Sequence, residues 1–168
     1  MRSHTLQTLV ICTAFIAPAS LALGQSLPQD CQEAMEVRSP QAQVDLFSRC
    51  LSTGGLSGAT KATTLKQRAV AYMHLGQHQR AVDDINEAMK LKPGDPDVYY
   101  LRGMAKRALG KHQEAIDDST RAIGMEPNNA GAYANRAFSY KSLGNIGQAK
   151  ADARRASDFA WPMLPRDL

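Results

Sequence analysis

The chain has little of what most functional classes require. Its N-terminal apolar stretch, residues 6–17, is interrupted by Gln7, Thr8 and Thr13, closes at Pro18, and is too short to cross a bilayer comfortably. Aromatic residues make up 6% of the sequence, which argues against a large aromatic-lined pocket. The formal net charge is only +4, and no Lys/Arg block concentrates it, so no basic face for nucleic acid is evident. There is no G-x-S-x-G, P-loop or H-E-x-x-H. His74 and His78 are four apart, but Gly76 falls between them and no third ligand stands at suitable spacing, so neither a metal nor another cofactor is expected. Asp83-Asp84 and Asp117-Asp118 resemble paired carboxylates. Adjacent helical residues point in different directions, however, so a solvated helical face is the expected role of both pairs. No catalytic constellation emerges.

What the chain does have is a 34-residue period. Gly76, Gly110 and Gly144 recur at that interval, as do Ala81, Ala115 and Ala149, and likewise Ala88, Ala122 and Ala156. Arg68, Arg102 and Arg136 recur too, and Pro93 and Pro127 close the first two units, with Trp161 in the third proline's place. A period of this size means stacked units that share a continuous core. In the second unit one helix over about 96–108 and another over about 112–125 meet at Leu109-Gly110. Pro96 suits a first helical position, and Asp97 complements the helix dipole. Ala69, Gly103 and Ala137 are expected to face Ala81, Ala115 and Ala149, letting the paired helices approach closely. The recurring arginines stand beside these small residues, and pairing with an acidic residue of a nearby helix is their expected role.

The second unit reads Y-Y-L-R-G-M-A-K-R-A-L-G-K-H-Q-E-A-I-D-D-S-T-R-A-I-G-M-E-P from Tyr99, and the units around it repeat the pattern. Tyr99, Gly103, Leu109-Gly110, Ala115, Ala122 and Pro127 resemble the signature of the tetratricopeptide repeat. Leu65 replaces the opening aromatic of unit one, and Lys106 replaces the tyrosine kept as Tyr72 and Tyr140. The resemblance implies an all-α fold, a right-handed α-solenoid of three helix-turn-helix units over 62–95, 96–129 and 130–161, within residues 60–161. It also implies a concave groove lined by Lys66, Val70 and Met73 of unit one. Unit two adds Tyr100, Met104 and Arg107, and unit three adds Ala134, Phe138 and Lys141. Some members grip a C-terminal carboxylate with a Lys/Asn/Asn/Lys/Arg clamp. The corresponding residues here are Lys66, Val70, Leu101, Gly131 and Asn135, so only the first matches.

Residues 1–24 have the form of a secretory signal, with Arg2 and His4 before the apolar stretch and Ala22-Leu23-Gly24 as the cleavage triplet. An N-terminal membrane anchor is the alternative. Cleavage leaves Cys31 and Cys50, an even pair in an exported chain, which reads as a disulfide. A redox or metal pair is the rival, though no C-x-x-C spacing supports it. An Asp30/Glu33 capping box is expected to open one short helix, and Ser39 with Pro40 to open a second that ends near Leu51. The 34-residue register does not extend upstream, so residues 25–59 are expected to form a non-repeat cap, with residues 52–58 as its linker to the repeats.

At the other end residues 162–168 form a tail without a capping helix. Either the tail folds over the last helix pair or another molecule covers that pair. The expected function is an exported scaffold or adaptor, periplasmic first and secreted second, that holds a peptide of a protein partner in the groove. No nucleic acid and no stable membrane insertion after cleavage are expected. The alternatives are a homo-oligomer built through the uncapped last pair and, third, an enzyme or redox protein.

Overall fold

The computed structural model describes residues 27–160. The signal-like segment, its cleavage triplet and the tail from Trp161 lie outside them. Among the described residues the fold is eight helices and no strand. Helices α1 (Gln29–Glu36) and α2 (Pro40–Ser52) form the N-terminal hairpin. They are followed by the pairs α3 (Gly58–His74) with α4 (His78–Leu91), α5 (Pro96–Ala108) with α6 (His112–Met125), and α7 (Ala130–Ser142) with α8 (Ile146–Ala160).

The three pairs turn in the same way. Gly76, Gly110 and Gly144 have φ of 71°, 76° and 79°, a left-handed conformation that suits glycine. In the middle turn Gly110 N–H donates to Arg107 C=O and Lys111 N–H to Lys106 C=O, which satisfies the last carbonyls of α5. The other two turns carry the equivalent bonds. Ala69, Ala81 and Ala115 are fully buried, so the close approach expected of the small residues is present. At Gly103 the space is tighter still. A Cβ there would meet Asn135 Nδ2 at 3.0 Å, Ser119 Oγ at 3.1 Å and the Ala115 carbonyl at 3.3 Å. The apolar core runs through Leu65, Val82, Ile85 and Val98, joining the first pair to the second.

Each recurring arginine does pair with the second helix of its own unit. Arg68, Arg102 and Arg136 make two-pronged hydrogen bonds to Asp84, Asp118 and Asp152, at 2.6–2.9 Å. The carboxylate bonds raise each guanidinium's pKa, outweighing the opposite effect of burial. The expectation that both members of each Asp pair are solvated is therefore corrected. Asp83 and Asp117 are exposed, but Asp84 and Asp118 are buried. The third arginine prong reaches back one unit: Arg102 Nη1 donates to Asn86 Oδ1 at 2.9 Å and Arg136 Nη1 to Thr120 Oγ1 at 3.0 Å. These bonds tie successive units as well as the two helices within each.

In unit one that third prong goes to Ser48 Oγ of α2, at 3.1 Å. Helix α2 thus stands where the second helix of a preceding unit would stand. The residue it offers is four places short of the 34-residue register, which is why the period fades there. Ser39 caps α2 and Pro40 opens it, as expected. The Asp30/Glu33 box is not present. Pro28 occupies the N-cap of α1, and Asp30 sits inside the first turn, paired with Arg49 at 3.2 Å. The linker is also shorter than expected, because Ser57 caps α3 and Gly58 already belongs to it. Cys31 and Cys50 are buried, with Cα atoms 5.2 Å apart, inside the span a disulfide bridges.

Candidate functional site

Along the stack α3 packs on α5 and α5 on α7, while no comparable packing links α4 to α6 or α6 to α8. First helices that touch and second helices that do not mean that the stack bends toward α3, α5 and α7. The nine expected groove residues all lie on α3, α5 and α7, but they do not form a uniformly free surface.

Val70, Met104 and Ala134 are half-buried. Met73 instead packs against the core of the first two pairs. Tyr100 lies against Gly131 of α7, where an added Cβ would come within 2.8 Å of its ring. The close approach of ring to backbone explains why Gly131 has no side chain, and it commits part of Tyr100 to the α5–α7 contact. Phe138 is 58% exposed, and Lys141 is exposed beside it.

The cations expected at the groove edges behave differently from one another. Lys66 is not free: its Nζ bonds Asp95 at 2.8 Å and Asp97 at 3.1 Å, at the start of α5. Asp95 is itself the N-cap of α5, accepting from the Asp97 backbone N–H at 3.1 Å. Burial pushes the Asp95 carboxyl up, but the Lys66 hydrogen bond and charge, with help from the Asp97 N–H and Lys92, hold it below its usual range. Burial likewise opposes the Lys66 charge, and the two aspartates more than reverse this, raising its pKa. Arg107 Nε donates to Asn135 Oδ1 at 2.6 Å, and its guanidinium lies 5.3 Å from the centre of the Phe138 ring. Asn135 in turn donates to Ser119 Oγ at 2.8 Å, so this buried amide couples α5, α6 and α7.

Two of the three groove cations therefore join successive units, and Lys141 projects into solvent. Asn135 is buried and Lys66 is held by Asp95 and Asp97, so neither is placed as a free carboxylate-clamp donor. Sequence reasoning missed Asp95. Its position before Pro96 and Asp97 was a usable N-cap signal. It also missed Lys106, whose Nζ reaches Asp118 at 2.9 Å and Glu114 at 3.2 Å, so the residue that departs from Tyr72 and Tyr140 adds a second cation to a buried carboxylate.

His78 and His112 sit half-buried at the first turns of α4 and α6, each with an Nδ1 that has no hydrogen-bond partner. No cluster of three metal-ligating side chains occurs among the described residues, and none of their helices is long and apolar enough to cross a membrane.

The tetratricopeptide repeat sequence model matches residues 63–95, 96–129 and 130–159. No curated protein matches the chain significantly. Among solved structures, MamA shares the fold over 79% of this chain and 75% of its own, with a TM-score of 0.67 and 20% identity. The first TPR of Spaghetti (RPAP3), bound to the HSP90 peptide SRMEEVD, is 25% identical and covers 66% of this chain and 87% of its own, with a TM-score of 0.60. The Arabidopsis OM64 TPR domain is 27% identical, covering 64% and 88%, with a TM-score of 0.60. Three contiguous matches over more than half of the sequence, falling on the three helix pairs just described, show that the chain belongs to the tetratricopeptide repeat family.

Proposed function

We propose that the protein is an interaction scaffold that binds a segment of a partner protein along the face formed by α3, α5 and α7. The observation that carries this reading is the row of Val70, Met104 and Phe138, half-buried to exposed, ending beside the exposed Lys141. Methionine adapts its shape to different ligands, and an exposed aromatic at the end of such a row is a typical anchor contact. The RPAP3 domain supports peptide binding by this kind of fold, since it was solved with an HSP90 peptide. A C-terminal carboxylate as the ligand is not proposed, because Val70, Leu101 and Gly131 stand at the clamp positions. The ligand fitting this face carries aliphatic or aromatic anchors and a few acidic residues, in extended or helical form.

The setting that fits the N-terminal sequence is an exported one, with cleavage after Gly24, a Cys31–Cys50 bridge and the periplasm as compartment. Binding rather than catalysis is the proposed activity. A photo-crosslinking residue placed at Met104 tests the reading, with Lys90, exposed on α4, as the control position. A partner captured from position 104 and not from 90, whose purified segment binds Met104→Ala/Phe138→Ala about tenfold or more weakly, supports it. Equal capture at both positions refutes it.

A further inference from the structure

The first two units each have an end face that the next unit's first helix packs on. Val82 and Ile85 are buried in unit one, where α5 packs on α4, and Ile116 and Ser119 in unit two, where α7 packs on α6. The incoming helix has a pattern of its own. Val98, Leu101 and Ala105 of α5 are buried or half-buried at i, i+3 and i+7, and Ala132, Asn135 and Ser139 of α7 are buried at the same spacing. At i+4 stand Arg102 and Arg136, whose Nη1 atoms donate to Asn86 and Thr120 of the preceding unit. The unit-three equivalents of the covered residues are Lys150, Ala153 and Arg154. All three are exposed, and among the described residues no further helix follows to cover them. An apolar pocket of about 410 Å³ opens there, lined by Phe138, Ile146, Ala149 and Ala153 together with Lys141 and Lys150. No carboxylate is among the described residues that line it.

These replacements reverse the polarity of the seat. Where Asn86 and Thr120 accept the next unit's arginine, Arg154 presents a cation, and Lys150 adds another where Val82 and Ile116 are aliphatic. Ile85 and Ser119 have given way to Ala153, which leaves room for a larger incoming side chain. We infer that the partner segment of the proposed reading enters this end as an amphipathic helix, laid across α7 and α8 in the place of a following unit's first helix. It carries large apolar residues at i, i+3 and i+7 over the pocket. At i+4, where a repeat has arginine, it carries Asp or Glu against Arg154. Ile146 to Ala156 spans about 15 Å along α8, so about three turns of partner helix suffice. The inference rests on the α3–α5–α7 reading. Phe138 and Lys141 end that face and also line the pocket, so one partner uses both surfaces without competition between them. A second copy is the poorer occupant, because two such ends placed face to face would oppose Lys150 and Arg154 to the same cations.

The probe is a fluorescein-labelled peptide of about 16 residues, long enough to sustain a helix, with leucine at i, i+3 and i+7, glutamate at i+4, and alanine and glutamine elsewhere. Its twin carries arginine at i+4. Fluorescence anisotropy with the full chain should show the glutamate form binding about tenfold or more tightly than the arginine form, and Arg154→Glu should reverse that order. Ala153→Glu places a charge in the pocket at an exposed helical position. It should abolish binding of both peptides while the protein's far-ultraviolet circular dichroism stays unchanged. The inference is overturned if neither peptide binds, or if Arg154→Glu leaves their order as it was. It is overturned equally if light scattering shows dimers that Arg154→Glu disperses, which makes a second copy the occupant. A partner captured from position 104 whose binding Ala153→Glu leaves unchanged also overturns the helix seat, while the α3–α5–α7 face stands. The expected peptide reversal, with equal capture at positions 104 and 90, would instead keep the seat and refute the face.

Discussion

Replacing Asp118 by alanine should be the most damaging single change in the stack. Asp118 has 4% of its side chain exposed and accepts two bonds from Arg102 and one contact from Lys106. Its loss leaves two cations, each 15% exposed, with Lys106 keeping only Glu114. Removing one partner of a buried pair costs about 3–5 kcal/mol, because the remaining charge stays desolvated. Here some water reaches both cations, which puts the expectation near the lower end, about 3 kcal/mol, a large share of the ~5–15 kcal/mol that typically separates folded from unfolded domains. Urea unfolding followed by circular dichroism at neutral pH measures it. The control is Lys61→Ala, which removes an ion pair to Glu87 whose side chains are 40% and 52% exposed. That change should cost no more than about 1 kcal/mol. Arg102→Met with Asp118→Leu should recover the part of the Asp118→Ala loss that comes from the stranded Arg102, since an apolar pair of similar size carries no charge there, while Lys106 keeps only Glu114 in both variants. If Asp118→Ala costs no more than Lys61→Ala, the buried pairs do not hold the units together. If the double variant is no better than the single one, shape rather than charge accounts for the loss.

The Asp95–Lys66 pair should act at both ends of the pH range. The folded Asp95 pKa is depressed below 3.8, so its contribution is present above that value and lost as pH falls through the lower folded value; Lys66 is raised above 10.5, so its contribution is present below 10.5 and lost as pH rises further. The stability difference between the native chain and Lys66→Met should therefore be flat from roughly pH 5 to 10 and shrink on either side, and a difference that grows in acid would contradict the pairing. Gly103→Ala gains about 1 kcal/mol of helix propensity but forces a Cβ against the Ala115 carbonyl and the Asn135–Ser119 bond. Overpacking of that kind costs about 1–3 kcal/mol, so thermal unfolding should show a net loss, and a rise in Tm would show that the α5–α6–α7 junction has slack. Non-reducing peptide mapping should join the Cys31 and Cys50 peptides, and Cys31→Ser with Cys50→Ser should lower stability by about 3 kcal/mol for a closure spanning a sequence separation of 19. Free alkylation of both thiols in the unreduced native protein would exclude the bridge.

The fold was readable because its requirements repeat. A left-handed turn, a close helix approach and an arginine bound to the facing helix are each needed once per unit, so glycine, alanine and arginine return at 34 residues. The buried aspartates were harder to see, since Asp83 and Asp84 look alike in sequence and only the latter turns inward. One usable signal was present: the spacing of 16 from Arg68 to Asp84 recurs from Arg102 to Asp118 and from Arg136 to Asp152. The cap was half-readable, because a helix can do the work of a repeat helix without its register, as Ser48 does for Arg68.

The binding face was the least readable part, for a geometric reason. In a bent stack the inner positions of one unit also border the next, so one residue type at one position can serve a ligand or a neighbour. Lys66 meets Asp95, Tyr100 meets Gly131, and Arg107 meets Asn135, all contacts between residues 28 or more apart in sequence that no local pattern announces. Among the described residues no repeat packs on unit three, so its inner residues keep both capacities open. This is why Phe138 and Lys141, at the same repeat positions as the half-buried Met104 and the engaged Arg107, are the ones left exposed. Position within the stack, as much as residue type, decides which side chains are available to a partner.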